Sequence, residues 1–434
     1  MDRAVVYGVV PHNFGKHGLR SVTARLKKLQ ELGVNALWLA PCNNTPRAGS
    51  HGYAVTDYFR VRRDYGTKRD LQALVQAAHA GGMRVLLDFV PNHSSRRHRY
   101  FTHAERYGAA SPYYQYFDRK SDGSYTYYFD WIHLPNLNFD NPEVRQWMLE
   151  AFLYWIRECD IDGFRVDAAW GIQQRRPDFW PQWRQALKAI KPDLLLLAEA
   201  SARDPYWVKH GFDAAYDWTD VLGQWAWHEV FEDRDKITER LHAALTNNGK
   251  GYPDGARVFR FLNNNDTGKR FLTRYSLATE KVAAVLLLTL SGIPCIYTGQ
   301  EYGIEFEPYR NSQPLLWLDP HGLRTYYQKL ITIRHATPAL YSPRWLPLEL
   351  RSSRQVYGYL RGGVDTTPVL VLLNFSLARA QVAITLNEEL HPFAMASQLY
   401  DLYCEETVRP VRRGNTISLS LAAQSARILM LPSS

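Results

Sequence analysis

Cysteine is scarce in this chain of 434 residues, and its four cysteines are far apart. Cys42, Cys159, Cys295 and Cys404 form no CxxC pair, which argues against both a zinc site and a disulfide framework. Cys42 and Cys295 stand at the ends of apolar runs, where a free thiol is usually buried. We therefore expect buried, reduced thiols and a cytoplasmic protein.

The sequence also lacks an apolar run long enough to span a membrane. Its longest such stretch, VAAVLLLTLSGIPCIY at 282–297, contains Ser291, Gly292 and Pro294. This pattern predicts a buried helix that breaks into a buried strand. The N-terminal stretch MDRAVVYGVVPHNFG has no basic segment followed by a long apolar core. We therefore expect no secretory signal and no membrane partner.

Charge is not concentrated in any one part of the chain. The 52 basic residues outnumber the 43 acidic ones, for a formal net charge of +9, but they form no run or stripe. The short clusters RRHR (96–99) and VRPVRR (408–413) are interpreted as solvated surface, because no nucleic-acid-binding module lies near them. We expect no nucleic-acid partner, and the sequence leaves the oligomeric state open.

What the sequence does contain is eight short runs that are apolar at nearly every position, as strands of a covered parallel sheet are. Helix-period segments alternate with them, and Asn141 and Asp70 are predicted helix starts. The alternation predicts an α/β fold, a (β/α)8 TIM-type barrel. The eight runs are AVVYGVV (4–10), VNALWLA (34–40), MRVLLDFV (83–90), DGFRVDA (162–168), DLLLLAEA (193–200), FDAAYDW (212–218), ARVFRFL (256–262) and IPCIYTG (293–299).

Two parts of the chain fall outside this alternation. Residues 93–140 are rich in Tyr and His and separate the third strand from its helix, which predicts an inserted lobe over the barrel. Residues 346–434 contain alternating strands, such as PVLVLLNFS (368–376) and ISLSLAAQSARILML (417–431), divided by turn residues. This part is predicted to be an antiparallel β-sandwich domain. The barrel would then comprise residues 1–92 and 141–345.

Four carboxylates stand at or just beyond the predicted strand ends: Asp88, Asp167, Glu199 and Asp266. A single acidic residue at such a place is usually a helix cap or a turn former, and the cluster FLNNNDTGKR (261–270) has that alternative. Chemistry in a TIM-type barrel occurs at this end of the strands. A pair of carboxylates is what glycoside hydrolysis needs, and 13 Trp and 27 Tyr offer flat faces for sugar rings.

Four segments resemble, in order, the short regions typical of the α-amylase family of glycoside hydrolases. They are DFVPNH (88–93), GFRVDAAW (163–170), LLLLAEA (194–200) and FLNNND (261–266). GVNALWLAP, HGYAVTDY, LPNLNFDNPEVR and SGIPCIYTGQE support the resemblance, which extends over residues 5–340 with a β domain behind. It implies a retaining enzyme that acts on α-glucans.

The resemblance assigns three catalytic carboxylates. Asp167 would be the nucleophile, kept ionised by Arg165, and Glu199 would protonate the departing oxygen and then activate water. Asp266 would stabilise the transition state by binding sugar hydroxyls.

Further residues are implied to bind the substrate. His93 would bond the primary hydroxyl of the reacting sugar, Tyr53 would stack beneath its ring, and Asp88 would hold the local framework. Asn265 stands where the family usually has histidine, and it can still donate one hydrogen bond. Trp170 stands where many α-amylases have lysine on the leaving side.

The sequence requires no cofactor, and Ca²⁺ is an open possibility. Asn92 matches a frequent calcium-ligand position, but it is also a good buried turn amide, and no partner ligands can be identified in the lobe. Two family features have changed nearby. Tyr53 is followed by Ala54, not aspartate, and Gly171 follows Trp170 where histidine is common.

We predict hydrolysis of α-1,4-glucosidic bonds in maltooligosaccharides or related α-glucans. The alternatives are an α-glucan transglycosylase, a disaccharide-active α-glucosidase, and a non-catalytic carbohydrate-binding or scaffold protein of the same fold. An acceptor site for transfer could be formed by a set of aromatic and basic residues that could equally pack the barrel helices. These residues are Trp170, Arg175, Arg176, Trp180, Trp207 and Trp218.

Overall fold

The computed structural model describes residues 3–47, 51–352, 355–363 and 365–432. Eight parallel strands close a barrel in chain order, and the eighth strand pairs with the first. Each strand falls on one of the eight predicted runs, which confirms the TIM-type barrel. The strands are β1 (Val6–Val9), β2 (Ala36–Leu39), β3 (Arg84–Phe89), β4 (Gly163–Val166), β5 (Leu195–Ser201), β6 (Ala214–Tyr216), β7 (Val258–Phe261) and β8 (Ile293–Tyr297).

Local capping sets where two of the covering helices begin. As predicted, Asn141 caps the helix Pro142–Cys159, and its Oδ1 accepts from the Glu143 N–H at 2.9 Å. The predicted start at Asp70 is wrong, because the helix Lys68–Ala80 begins after Thr67. The Asp70 carboxylate accepts from the Thr67 N–H at 2.8 Å and thus forms the second half of a capping box.

The remaining helices are mostly short elements between the barrel strands. The α-helices are Pro11–Phe14, Leu19–Leu32, Arg99–Tyr107, Ala169–Arg175, Phe179–Ile190, Pro205–Lys209, Ile237–Leu245, Phe271–Tyr275, Leu277–Thr289, Leu323–Ala336 and His391–Met395. Single 3₁₀ turns are Gly108–Ala110, Tyr114–Tyr116, Tyr128–Asp130, Gln300–Tyr302, Pro338–Leu340 and Glu388–Leu390. Within the described ranges, each helix is too short or too polar to cross a bilayer.

The apolar segment 282–297 divides as predicted. The helix Leu277–Thr289 is buried over most of its surface and ends before Gly292, which has a positive φ of 96°. Strand β8 follows at once and is buried at every position. The two elements therefore belong to the protein core.

The inserted region between β3 and the helix Pro142–Cys159 contains a helix, Arg99–Tyr107, and isolated β-bridges. One bridge joins His93 to Asn136, so the region leaves the barrel and returns to it at neighbouring points. Near its tip, Phe129 and Asp130 have positive φ angles of 47° and 59°. A separate hairpin, Asn43–Asn44 with Asp57–Val61, follows β2.

The C-terminal region forms two antiparallel sheets, which confirms the predicted β-sandwich. The six-stranded sheet has the order β9-β11-β12-β18-β14-β15, and the four-stranded sheet has the order β10-β13-β17-β16. The predicted single run 417–431 is two strands, because Gln424 turns the chain with a φ of 42°. The strands are β9 (Trp345–Pro347), β10 (Leu350–Ser352), β11 (Val356–Gly363), β12 (Thr366–Asn374), β13 (Ala380–Thr385), β14 (Leu399–Asp401), β15 (Glu406–Val408), β16 (Val411–Arg413), β17 (Thr416–Leu421) and β18 (Ser425–Met430).

The predicted domain boundaries at 92/93, 140/141 and 345/346 remain predictions. The ends of the predicted ranges, residues 1–2 and 433–434, lie outside the described residues, as do 48–50, 353–354 and 364.

One face of the six-stranded sheet shares a hydrophobic core with the barrel. The helix Leu277–Thr289 packs against this sheet, and its last residue makes polar contacts with it. The Tyr359 hydroxyl lies 2.5 Å from Thr289 Oγ1, and the buried Arg361 donates from Nε to the Thr289 carbonyl at 2.8 Å. The sandwich therefore covers part of the barrel and is joined to it by buried polar contacts.

The cysteine prediction is confirmed for three thiols and wrong for one. Cys42, Cys159 and Cys295 are buried and free. Cys404 is also free but exposed, because it lies in the turn between β14 and β15.

Candidate active site

Three of the predicted carboxylates meet around one buried arginine, Arg165 of β4. Its Nη1 donates to Asp88 Oδ1 at 3.0 Å and to Asp167 Oδ1 at 2.8 Å. Its Nη2 donates to Glu199 Oε1. Because parallel strands end at the same rim, β3, β4 and β5 bring these side chains together. The fourth carboxylate, Asp266, reaches the same mouth from beyond β7.

One guanidinium group donates hydrogen bonds to three buried carboxylates here, and the pKa values of these carboxyl groups are shifted. Burial raises the pKa of Asp167 to about 7, while Arg165 opposes the shift and Asp88 adds to it. Burial also raises the pKa of Glu199 well above its usual range, again against Arg165. Near neutral pH, the pair formed by Asp167 and Glu199 therefore favours keeping a proton. A mechanism that uses one carboxylic acid and one carboxylate requires this.

Asp88 is held as a framework group. Its Oδ2 accepts from Trp38 Nε1 at 3.2 Å and from the Tyr53 hydroxyl at 3.0 Å, in addition to the contact with Arg165. The Arg165 Nε donates to the Tyr216 hydroxyl at 3.1 Å. Trp38 lies in the quoted segment GVNALWLAP and Tyr216 in the run FDAAYDW, but neither segment indicated a contact with Asp88 or Arg165.

A cavity of about 310 Å³ opens over the carboxylates. Six of the predicted site residues line it: Tyr53, His93, Asp167, Trp170, Glu199 and Asp266. Asp88, Arg165 and Asn265 lie outside the lining and contact Tyr53, Asp167 and Asp266, respectively, which form it. The cavity wall is largely aromatic, and such a wall offers flat faces to a sugar.

His93 and Tyr53 form one side of this cavity. Burial lowers the pKa of His93 to about 3, so its imidazole is neutral at physiological pH. Its Nε2 lies 3.2 Å from the Tyr53 carbonyl, and its ring stacks on Tyr128 with a centroid distance of 4.5 Å. The Tyr53 ring stacks on His51 at 5.6 Å. The neighbouring residues hold the rings of His93 and Tyr53 in place, so that the ring edges are positioned to contact a ligand.

The tip of the inserted region supplies an aromatic wall that the motifs did not indicate. Phe129 and Trp131 line the cavity, yet each side chain is about half exposed, at 53% and 52%. Phe129 packs against Trp170 with a centroid distance of 5.5 Å. Phe129 and Asp130, which have positive φ angles, lie in the turn that precedes Trp131. The Tyr-rich composition of the region was the one sequence signal for them.

The tryptophans considered for an acceptor site separate into two groups. Trp170 and Trp218 line the cavity. Trp180 and Trp207 are buried and pack on Phe212 at 5.0 Å and 5.4 Å, so the acceptor interpretation is wrong for them. They fill the space between the helices that follow β4 and β5, where a large apolar ring is well accommodated.

Asn265 contacts Asp266 and a tyrosine that the sequence analysis missed. Its Nδ2 donates to Asp266 Oδ2 and to the Tyr309 hydroxyl, both at 2.9 Å. The Tyr309 hydroxyl in turn donates to Asp266 Oδ1 at 2.5 Å. The Asp266 side chain reaches solvent across the cleft, yet the surrounding protein excludes enough water to raise its pKa. Asn265 thus orients the carboxylate that the resemblance assigns to the transition state.

We expect Asn265→Ala to lower kcat/KM by about ten- to a thousandfold, the range for the loss of one transition-state hydrogen bond. The reason is that Asp266 loses one of its two side-chain donors. Initial rates on maltotriose would measure the effect, and Tyr309→Phe, which removes the other donor, is the matched comparison. A rate equal to that of the wild type would return Asn265 to the role of a turn former.

Comparison with known proteins agrees with this geometry. Among curated proteins, α-amylase MalA of Haloarcula japonica is 33% identical over 387 residues, which is 86% of this chain and 55% of that protein. A cyclomaltodextrinase of Bacillus sp. is 32% identical over 384 residues, 84% of this chain and 66% of that protein. The chain therefore spans about half to two thirds of the length of these relatives.

A solved structure is similar to this protein over the whole chain. The α-amylase of Geobacillus thermoleovorans, crystallised with acarbose, superposes with a TM-score of 0.83 at 25% identity, over 100% of this chain and 99% of that one. The family model described as "Alpha amylase, catalytic domain" matches residues 12–313, well over half of the chain. With four carboxylates at the matching strand ends, the protein belongs to the α-amylase family.

Proposed function

We propose that the protein is a retaining glycoside hydrolase that cleaves α-1,4-glucosidic bonds of maltooligosaccharides or related α-glucans. The observation that carries the proposal is the joint contact of Arg165 with Asp167 and Glu199 at the mouth of an aromatic cavity. One cation shared by two carboxylates lets one ionise while the other keeps a proton. That is the division of roles needed to cleave a glycosidic bond.

In the first step, an Asp167 oxygen attacks the anomeric carbon and the bond to the departing sugar breaks. Glu199 gives its proton to the departing oxygen, and the raised pKa of its carboxyl keeps that proton available at neutral pH. The positive charge of Arg165, 2.8 Å from Asp167 Oδ1, favours the anionic form of the nucleophile. Asp266 faces the developing charge on the sugar ring.

In the second step, water takes the place of the departed sugar. Glu199, now ionised, removes a proton from the water as the water oxygen attacks the anomeric carbon, and the bond between that carbon and the Asp167 oxygen breaks, which releases Asp167 as a carboxylate. Glu199 Oε2 also accepts from the Ala168 N–H at 2.7 Å, which holds its carboxylate beside Asp167 in both steps. Two inversions at the same carbon return the α configuration.

Short oligosaccharides are the proposed substrates. The cavity, about 310 Å³, is at the low end of the range of roughly 300 to 1,000 Å³ for ligand sites. Phe129 and Trp131 border it on one side, while Leu222 and Gly223 border it on another. The similarity to a cyclomaltodextrinase supports the same class of small α-glucans.

The test is the fate of maltotriose and maltoheptaose. We expect reducing ends to increase while only shorter products form, and proton NMR to show the α anomer first. A β anomer would contradict the retaining mechanism. If longer products form while the amount of reducing ends stays constant, the protein transfers glucan chains and does not hydrolyse them. If neither these substrates nor sucrose and trehalose react, the protein is a non-catalytic member of the fold.

We also propose that the protein acts in the cytoplasm. Its four cysteines all lie in the described part of the chain, and all are free thiols. Burial raises the pKa of Cys42 and of Cys159 to about 12, which keeps both thiols protonated and unreactive. Unpaired thiols are the usual state of cysteine in a reducing compartment.

A further inference from the structure

The guanidinium of Arg175 lies between the inserted region and the barrel, where four oxygens converge on it. Its Nε donates to the Gly171 carbonyl at 2.9 Å, and its Nη2 donates to Asn92 Oδ1 at 2.6 Å. Its Nη1 donates to the Asp118 carboxylate and to the Leu137 carbonyl, the latter at 3.3 Å. Four hydrogen bonds thus engage most of the five N–H groups of one arginine.

These contacts join parts of the chain that are distant in sequence. Asp118 and Leu137 belong to the inserted region, whereas Asn92 follows β3 directly. Gly171 lies in the helix that starts two residues after Asp167. Through Arg175, the inserted region is therefore fastened to the segments that carry His93 and the nucleophile.

The four oxygens are of the kinds that bind Ca²⁺: a carboxylate, a side-chain amide and two backbone carbonyls. Asn92 is also the position that the family resemblance connects with calcium. In this protein, however, each of these oxygens already accepts a hydrogen bond from Arg175. A divalent cation among them would stand against a guanidinium of the same sign. The residues present therefore do not fit a calcium ion.

A glycine makes this arrangement possible. A Cβ atom at position 171 would lie 2.5 Å from Asn92 Oδ1, so any other residue would push the amide away. The absence of a side chain at 171 lets Asn92 and the Gly171 carbonyl approach the same guanidinium. Gly171 and Arg175 are thus a matched pair on one short helix.

We propose that Arg175 is a built-in replacement for a calcium ion, and that it holds the inserted region against the barrel without metal. One positive charge against the single carboxylate of Asp118 leaves the cluster neutral. Because the cation is covalently part of the chain, a chelator cannot remove it.

The test compares melting temperatures in EGTA and in CaCl₂. We expect the wild-type value to be the same in both. Arg175→Ala should melt about 5 °C lower or more in EGTA, since it leaves a half-buried carboxylate and three other oxygens without their donor. Calcium should raise the melting temperature of this variant, and calorimetric titration with CaCl₂ should detect binding that is absent in the wild type. Mg²⁺ should raise the melting temperature of this variant less than Ca²⁺ does, because Mg²⁺ requires a stricter coordination geometry.

Two further variants separate this proposal from a general effect of losing an arginine. Arg176→Ala removes the neighbouring arginine, which pairs with the exposed Asp140, and should gain no calcium response. The double variant Arg175→Ala with Asp118→Asn should show no calcium response, because the one carboxylate among the four oxygens is neutralised. The proposal would be overturned if calcium raised the melting temperature of the wild type and Asp118→Asn abolished that increase. It would also be overturned if Arg175→Ala did not bind calcium. If Arg175→Ala does not fold, Arg175→Gln, which removes the charge but keeps a long polar side chain, should fold and gain the calcium response.

Discussion

Replacing Asp167 by Asn is expected to lower turnover of maltotriose by about 10⁴-fold or more, which corresponds to about 5.4 kcal/mol of lost transition-state stabilisation. The amide is nearly the same size as the carboxylate, but it cannot form the glycosyl ester. Initial rates at saturating substrate measure the loss. Asp220→Asn, which neutralises an exposed carboxylate close to the cavity-lining Leu222, is the matched control and should keep full activity.

The melting temperature of Asp167→Asn provides a second readout. Burial, and to a lesser degree the neighbouring carboxylates, raises the pKa of Asp167, so its ionised form costs the folded state free energy at neutral pH. Asn removes that charge, while Arg165 keeps Asp88 and Glu199 as partners. We expect an unchanged or higher melting temperature together with the loss of activity. Activity close to that of the wild type would refute the nucleophile assignment.

Glu199→Gln is expected to lower turnover of maltotriose by about 10²- to 10⁴-fold, the usual contribution of a general acid. The loss should depend on the leaving group. With a 4-nitrophenyl maltoside the leaving group is 4-nitrophenolate, which departs without protonation, so the first step should stay fast in the variant. The second step still needs a base to activate water, so a burst of nitrophenol followed by slow turnover is expected. Glu307→Gln, a change at a half-exposed side chain on the segment that carries Tyr309, is the control.

The pH profile assigns the same two roles independently. The raised pKa of Glu199 means that the acid form persists at neutral pH, so activity should fall as the pH rises through that pKa. On the acid side, activity should fall as Asp167, with a pKa of about 7, takes up a proton. The profile of kcat/KM should therefore be bell-shaped around neutral to slightly alkaline pH. An unchanged alkaline limb in Glu199→Gln would contradict the assignment to Glu199.

The barrel could be predicted from the sequence because its physical cause is local. Strands covered on both faces are apolar throughout, and the eight runs identified all eight strands. Helix starts were less certain, since Asp70 belongs to a capping box that begins at Thr67. The run 417–431 concealed a turn at Gln424, because no Gly or Pro marks it.

The site could be predicted only as far as its motifs extend. Asp88, Asp167 and Glu199 lie on strands whose register is fixed, so their meeting follows from the barrel. Tyr309 and Phe129 reach the cavity from loops, and sequence spacing does not determine where a loop ends in space. The sequence does not distinguish an aromatic ring at a cleft from a buried one, which is why both alternatives stayed open for Trp180 and Trp207 until the structure showed them buried.

The joining of the six-stranded sheet to the barrel has a consequence for synthesis. The helix Leu277–Thr289 leaves the ribosome well before β12 and β18, which contact it and end at Asn374 and Met430. At roughly 5 to 20 residues per second, the interval from residue 289 to residue 430 is about 7 to 28 s. During that interval the apolar side of the helix has no sheet to cover it. The nascent chain thus completes the last strand of the barrel first, and this helix is covered only after the strands of the sandwich have been synthesised.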